Sequence, residues 1–243
     1  MIKFFDAGLM FKALKQIIPY IPVTLEMTFA SMLIGLILAF LLAIVRMYNV
    51  PVFKQIATVY ISFMRGTPQL VQLYLIYYGI PRLLYVLQTN HGMFPGYKAN
   101  AISPIFYAIF AFSLNAAAYL SETIRSSIES IDKGQMEAAQ SMGISYGKTM
   151  RKIILPQAMV VALPNLGNLL MSNLKGTSLA FIITIVDIMG QAKIIGARNY
   201  SFFEVYVAVS IIYWILNIVI EAIVYGIEKK LRVYERGLEN DRG

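Results

Sequence analysis

Residues 27–45 form a run without a single charged side chain. A helix needs about 20 predominantly apolar residues to cross a hydrocarbon layer of about 30 Å, and this run is of that length. The composition fits the same setting, because 58% of the residues are hydrophobic and only 14% are charged, which is hard to reconcile with a water-soluble surface. We therefore predict an integral membrane protein whose first span includes this run.

Four more apolar runs predict further spans: 68–80, 99–121, 157–174 and 205–227. The last of them is interrupted only by Glu221. The run 68–80 is short, but the apolar residues 56–64 precede it, which we interpret as an interfacial helix, a break at 65–68 and then a span. The sequence thus predicts an all-α fold with five transmembrane helices in a single domain, residues 1–243.

The distribution of lysine and arginine predicts the orientation, because these residues are retained on the cytoplasmic side. The segments 125–156 and 228–243 are rich in them, which places the amino terminus outside and leaves 228–243 as a cytoplasmic tail. Residues 1–18 have the pattern of an amphipathic segment lying along the outer interface. The net charge of +8 then reflects topology and attraction to anionic lipid, so we expect no nucleic-acid partner.

The cytoplasmic segment 125–156 contains a polar insert punctuated by glycines, residues 132–156. Asp132 followed three positions later by Gln135 is a pattern typical of a helix start, because such side chains satisfy free backbone N–H groups. Gly143 is suited to end that helix, because glycine accepts the left-handed backbone conformation of such caps. A short first helix is therefore predicted between them.

The second half of the insert predicts another short helix, from Ser145 to Leu155, after which Pro156 would start the next span. Two short helices at an angle form a surface that can dock a soluble partner. Three side chains of the first helix are small or acidic and would let a partner approach: Glu137, Ala138 and Ala139. The open alternative is an ordinary helical loop.

The insert also contains a likeness to a phosphate-binding loop, formed by Gly143, Gly147 and Lys148. The glycines are separated by one residue too few, Met142 occupies the position of the required first residue, and no strand precedes the segment. We therefore expect any nucleotide to bind another subunit. Because the chain has no cysteine, neither a disulfide nor a thiolate metal site is possible.

Several segments resemble the motifs of polar amino-acid uptake permeases, the ABC importer family of the histidine, glutamine, arginine and cystine systems. They are the EAA-type signature at 137–143 with 155–158, and the runs 63–71, 114–125 and 174–179. The first two spans look nearest to the cystine branch. The resemblance implies the type I importer permease fold and import driven by ATP.

The same resemblance implies the partners. Two permease subunits, identical or paralogous, would form the path, and two ATPase subunits would bind ATP and Mg, so that this chain itself needs no cofactor or metal. An extracytoplasmic binding protein would deliver the amino acid. The residues implied as contacts for the ATPase are Glu137, Ala138, Ala139 and Gly143.

Polar side chains at membrane depth are costly unless they are paired or face water, which makes them candidates for a substrate path. Asn115, Tyr119 and Glu122 share one face of the third span, while the alanines between them leave room for close helix contact. That face could line the path. The alternative for Glu122 is an ion pair with Arg125 one turn further on.

A second candidate is the break before the second span. Arg65 precedes Thr67 and Pro68, which can cap and open a helix, and a helix amino terminus beside a guanidinium suits a carboxylate such as that of an amino acid. The alternative for Arg65 is a gating or packing role near the cytoplasmic surface.

A third candidate is the end of the fourth span, where polar residues would interrupt the helix and expose backbone dipoles. These residues are Lys175, Thr177 and Ser178. Asp187 follows one short apolar run later and could receive an ammonium group, or it could cap a helix instead. Asn217 and Glu221 in the last span are expected to bond neighbouring helices.

The sequence therefore predicts a permease subunit of the cell membrane for ATP-driven import of an amino acid, working as a dimer that alternates between outward and inward openings. A passive amino-acid or ion channel is the alternative. An intramembrane enzyme is disfavoured, because the sequence offers no HExxH pair, no paired carboxylates at catalytic spacing and no nucleophile with a base.

Overall fold

The computed structural model describes residues 4–94 and 102–240, with side chains up to residue 231. The outermost parts of the predicted segments 1–18, 99–121 and 228–243 therefore lie outside the described residues. Every regular element in the described ranges is helical. In chain order these helices are α1 (Ala7–Ile17), α2 (Ile21–Met47), α3 (Phe53–Gly66), α4 (Gln69–His91), α5 (Pro104–Glu129), α6 (Lys133–Ser141), α7 (Tyr146–Thr149), α8 (Leu155–Gly176), α9 (Ile188–Asn199) and α10 (Phe202–Asn240).

Five helices of the described residues are long and apolar enough to cross a membrane, which confirms the predicted all-α fold with five spans. They are Ala7–Met47, Gln69–His91, Pro104–Glu129, Tyr146–Ile183 and Phe202–Leu231. Between the first two spans lies α3, an amphipathic helix of the interfacial type expected there. The predicted break before the second span is confirmed, since α3 ends at Gly66 and α4 begins at Gln69.

The third span, α5, is the centre of the bundle. More than half of its apolar window is buried inside the chain, 56%, against 28% or less for the other four spans. Its alanines allow this, because Ala116, Ala117 and Ala118 are buried at helix contacts. Gly35 of α2 comes so close that a Cβ there would lie 3.0 Å from the Ala116 side chain and 3.1 Å from the Ser113 carbonyl oxygen.

The amino-terminal segment is the first part of a helix that continues through a 3₁₀ turn, residues 18–20, into the first span. Its amphipathic face is covered by protein, since Met10, Ala13 and Ile17 pack in one apolar cluster with α9 and α10. Asp6 caps this helix by accepting from the Gly8 N–H at 2.8 Å. Its location along the outer interface stays a prediction.

The fourth span differs from the sequence prediction at both ends. No separate helix ends at Leu155, because α7 continues through a π turn, Met150–Ile154, directly into α8. The α-helix ends at Gly176, within the interruption predicted at 175–178, but the chain continues as a 3₁₀ helix over Thr177–Ile183 and the span is not broken there. A tighter 3₁₀ turn keeps backbone groups paired, which a broken helix in the bundle would not.

Candidate functional sites: the elbow and the central cavity

The polar insert folds as a helical elbow, which we define as residues 132–149. Asp132 caps α6 by accepting from the Gly134 N–H at 2.8 Å, as its pattern predicts. Beyond the end of α6, Gly143 adopts a φ of +78°, a conformation that costs little only for glycine. The chain then reverses and α7 begins at Tyr146. The predicted shape of two short helices joined at a glycine is confirmed up to the entry into α8.

The elbow presents part of the predicted contact set to solvent. Glu137, Ala138 and Gly143 are exposed. Ala139 is only 4% exposed and its carbonyl oxygen accepts from the Ile144 N–H at 3.0 Å. Its side chain turns into the elbow, unlike those of Glu137 and Ala138, because consecutive helical residues point in different directions. The contact of these residues with an ATPase stays a prediction.

Sequence reasoning missed the most exposed apolar residue of the elbow. Met142, at the end of α6, is 80% exposed. An unbranched thioether side chain adapts to an irregular apolar socket. The elbow also exposes the charged side chains of Glu137, Lys133 and Lys148.

Glu122 does not line the cavity described below. It forms ion pairs with Arg46 of α2 and with Arg125, the latter at 2.9 Å, and Arg125 also reaches Glu129 at 2.5 Å. The alternative interpretation of Glu122 as a structural partner of Arg125 is therefore the one that the geometry supports. Because all three innermost side chains are partly buried, this network ties α5 to the end of α2.

A central cavity of about 240 Å³ lies between the spans. Its lining comes from α2, the α3–α4 break with the first residue of α4, α5 and α8: Met32, Thr67, Gln69, Asn115, Ala116, Tyr119, Leu169, Ser172 and Asn173. Three of the predicted path residues, Thr67, Asn115 and Tyr119, thus meet in one place. The lining is polar on several sides and suits a small polar solute better than a lipid tail.

Gln72 orders one wall of the central cavity, although the sequence analysis did not single it out. Its side chain, only 2% exposed, accepts from Asn115 Nδ2 at 2.8 Å. Its own Nε2 donates to the carbonyl oxygens of Met64 at 2.8 Å and Thr67 at 3.1 Å. The buried amide of Gln72 therefore holds both Asn115 and the irregular backbone of the α3–α4 break in place. It also provides a donor for carbonyl oxygens at the end of α3 that lack a helical N–H partner.

Arg65 stands beside the cavity. Its guanidinium carbon lies 5.8 Å from the ring centre of Tyr119, a cation–π arrangement. Arg65 is exposed, so its charge is not neutralised by burial against a carboxylate. An exposed guanidinium beside Tyr119 can meet a carboxylate or close the entrance to the cavity.

The fourth span carries a polar face that sequence reasoning recognised only at Lys175. Four polar residues at helical spacings of three and four are exposed along α8: Asn165, Asn168, Ser172 and Lys175. Of these four, Asn168 lines a cleft of about 420 Å³ that Glu221 of α10 also lines. Polar groups facing hydrocarbon are expensive, so this face meets water or protein. The signal was present in the sequence as a 3–4 periodicity within an apolar span.

The remaining predicted path residues are placed elsewhere. Thr177 is buried and donates to the Leu174 carbonyl oxygen at 2.8 Å, while Ser178 donates to that of Lys175 at 2.6 Å. Both bonds run from the start of the 3₁₀ turn back to carbonyl oxygens of the last turn of α8. They stabilise the helix end and are not available to a solute while they persist.

Asp187 lies between the fourth and fifth spans and is fully buried. It caps α9 by accepting from the Gly190 N–H at 2.8 Å, and Thr24 of α2 donates to it at 3.5 Å. Burial raises the pKa of this carboxyl to about 6. The structure thus supports the alternative of a helix cap. Among the described residues no group of three or more His, Cys, Asp or Glu side chains is placed to hold a metal ion.

Comparison with known proteins gives consistent matches over nearly the whole chain. A family model described as "Binding-protein-dependent transport system inner membrane component" matches residues 31–233. The L-cystine transport system permease protein TcyL of Bacillus subtilis is 40% identical over 231 residues, which cover 95% of this chain and 93% of that protein. The probable amino-acid ABC transporter permease protein PatM of Vibrio harveyi is 38% identical, covering 93% and 96%.

The fold has a close counterpart among solved structures. A crystal structure of an amino acid ABC transporter with histidines matches with a TM-score of 0.79 and 32% identity, covering 94% of this chain and all of that chain.

Proposed function

This chain belongs to the family of binding-protein-dependent transport system inner membrane components, and from that premise we propose that it is the permease subunit of an ATP-driven amino-acid importer. It is a multi-pass inner membrane protein and a transport subunit, and ATP hydrolysis belongs to a partner. The observation that carries the proposal is the elbow, which holds Glu137, Ala138 and Met142 exposed on a rigid helical turn.

The elbow supports docking to an ATPase subunit. A carboxylate and an apolar knob presented on a short helix suit a groove with a cation beside an apolar socket. ATP and Mg would be bound there and not by this chain. The orientation that follows has the elbow and the segment 228–243 in the cytoplasm and the amino terminus outside, in agreement with the distribution of lysine and arginine.

The path is formed with a second permease subunit, identical or paralogous. The exposed polar face of α8 would be unfavourable against lipid, and a facing subunit would turn it into the wall of a shared polar path. Each subunit then contributes its own central cavity, where Thr67, Asn115 and Tyr119 offer hydrogen bonds and Arg65 offers a charge for a carboxylate. An extracytoplasmic binding protein delivers the substrate.

The substrate we propose is an amino acid, with L-cystine as the first to test. Relatives carry names that include cystine, and the matching solved structure is of an amino acid transporter with histidines. All amino acids share the carboxylate and ammonium groups that a polar cavity beside a guanidinium can recognise. Their side chains differ, so these shared groups select amino acids as a class and not one particular amino acid.

Uptake into vesicles tests this function against a passive channel. The chain is reconstituted alone, and also with its ATPase and binding protein, and accumulation of radiolabelled cystine, arginine, glutamine and histidine is followed with and without ATP. We expect accumulation against a gradient only in the full complex with ATP. Equilibration of solute by the chain alone, without ATP, would make it a channel and overturn the proposal.

A further inference from the structure

The first helix of the elbow is joined to the base of the fourth span by a pair of reciprocal amide hydrogen bonds. Gln157 Nε2 donates to Gln135 Oε1 at 2.8 Å, and Gln135 Nε2 donates to Gln157 Oε1 at 3.2 Å. Gln157 Nε2 also donates to the Ile153 carbonyl oxygen at 2.8 Å. Two residues that are 22 positions apart are thereby joined at the exposed surface of the elbow.

The backbone at this junction is unusual. Ile153 belongs to the π turn Met150–Ile154, which connects α7 to α8. A π turn inside a longer helix is rare and occurs often at functional sites. A junction that is soft along the chain would let the elbow and α8 move separately, unless a contact across it prevents this. The Gln135–Gln157 pair is such a contact.

The other connection of the elbow is built differently. The end of α5, which leads into the elbow, is tied to α2 through Arg46, Glu122 and Arg125. No described ion pair ties the base of α8 in this way. The pair therefore links α6 to the one neighbouring span that is not locked to the rest of the bundle by charges, and that span carries cavity residues such as Asn173.

We propose that Gln135 and Gln157 are positioning residues which make α6 and the base of α8 move as one unit, so that motion imposed on the elbow reaches the central cavity. The distance from Gln157 to Asn173 along α8 is about 24 Å at 1.5 Å per residue, and a continuous helix transmits displacement over that length. This proposal rests on the proposed function, since it needs an ATPase that moves the elbow.

Removal of either amide tests the proposal in the reconstituted complex. Gln135→Leu and Gln157→Leu keep the bulk of the side chain, and the readout is the number of substrate molecules imported per ATP hydrolysed. We expect each variant to lower this ratio about fivefold, the factor that one hydrogen bond is worth. The double variant should be no worse than the worse single variant, because both changes break the same link.

A matched control makes the same chemical change elsewhere. Gln55 is exposed on α3, far from the elbow in sequence, and Gln55→Leu should leave the import ratio unchanged. If the two elbow variants behave like this control while the complex stays assembled and hydrolyses ATP, the pair transmits nothing and the proposal is overturned. The same conclusion follows if the losses of the two single variants simply add in the double variant.

A crosslink tests whether the pair stays closed during transport. The chain contains no cysteine, so Gln135→Cys with Gln157→Cys introduces a unique pair that a short bis-maleimide can join. We expect the joined complex to import about as well as the same variant reacted with a monofunctional maleimide, or better. If joining the cysteines stops import, α6 and α8 must separate in the cycle, and the proposal fails. Absence of ATP-driven import by the unaltered complex would instead overturn the proposed function.

Discussion

The elbow and the central cavity are built in opposite ways. The elbow comes from one continuous stretch of chain, 132–149, and its shape is set by a cap at Asp132 and a left-handed Gly143. The cavity collects its lining from four separate parts of the chain, and a buried amide, Gln72, holds two of them together. The shape of the elbow, a site formed by one stretch of chain, therefore depends on backbone preferences. The shape of the cavity, a site assembled from separate parts of the chain, depends on how the helices pack.

The two regions also differ in what a partner would find there. The elbow offers a fixed surface to a soluble protein, and the cavity offers hydrogen-bonding groups to a small solute. The span α8 reaches both, since it begins just beyond the elbow and carries Leu169 and Asn173 into the cavity. We expect variants of the elbow to leave binding of the solute in the cavity unchanged, and variants of the cavity to leave docking at the elbow unchanged. Import should fall in both cases.

The largest expected effect concerns Asp187, for which the sequence left two alternatives, an ammonium site on the substrate path or a helix cap, and the geometry supports the cap. Burial raises its pKa to about 6 from an ordinary value of 3.8. A carboxyl whose pKa is raised on folding contributes stability that is present below about pH 4 and is lost as pH rises through about 6. By pH 7 the loss amounts to roughly 2 to 3 kcal/mol.

The measurement is thermal unfolding of wild type and Asp187→Asn in detergent from pH 4 to 8. The asparagine still accepts from Gly190 but does not titrate, so the Tm of wild type minus that of the variant should fall across this range. Import by the variant at pH 7 should remain near wild type. A constant Tm difference combined with lost import would return Asp187 to the substrate path.

The next effect concerns the ion-pair network between α2 and α5. Glu122→Gln leaves Arg46 and Arg125 without their shared carboxylate in a partly buried place. We expect a loss of about 2 kcal/mol in stability, below the value for a fully buried pair because water screens part of it. Thermal unfolding in detergent measures it, with Glu129→Gln at the exposed end of the network as the control. Equal Tm values for the two variants would contradict this role of Glu122.

A smaller effect distinguishes two reasons for a glycine at position 143: its left-handed backbone conformation, or a lack of space for a side chain. A Cβ would meet no atom within 4 Å at either Gly143 or Gly147, but only Gly143 has a positive φ, +78°. Gly143→Ala should therefore cost about 1 kcal/mol, whereas Gly147→Ala within α7 should stabilise by a similar amount. We expect ATP-driven import to fall about fivefold in the first variant only. Similar import by both would show that the left-handed turn is not needed.

The smallest effect is expected in the cavity itself. Asn115→Leu removes the amide held by Gln72 and should weaken import about threefold to fivefold, since one neutral hydrogen bond is at stake. The loss should appear in the KM for amino acid, with ATP hydrolysis in the absence of substrate unchanged. Ser113→Ala on the same helix, whose hydroxyl donates to its own helix at Ile109, is the control. An unchanged KM would remove Asn115 from the path.

Particular residues show how far sequence reasoning reached. Asn115 and Tyr119 were predicted on the path from polarity and helical spacing, and Thr67 from the break before the second span; the structure places all three on one cavity. Their role in transport stays a prediction. Glu122 shares the same helical face by spacing yet turns to Arg46, because a guanidinium from another helix lies within reach, and no periodicity within α5 reveals that neighbour.

The amide residues were the least visible in the sequence. Gln72, Gln135 and Gln157 read as ordinary polar positions, and each gains its importance from a partner on another element. Polar residues within one helix, such as Asn165, Asn168 and Ser172, could have been recognised from their spacing alone. The membership in the importer family, by contrast, was predicted from short motifs and is confirmed by the matches over almost the full chain.

By itself the sequence determined the membrane setting, the five spans and the shape of the elbow, because apolar run length, helix caps and a left-handed glycine act over a few neighbouring residues. Only the tertiary structure decided that Ala139 turns inward, that Asp187 caps α9 and that Gln72 joins two walls of a cavity. Those outcomes depend on which helices lie side by side. The free energy of helix packing is spread over many close contacts, so no single position in the sequence encodes it.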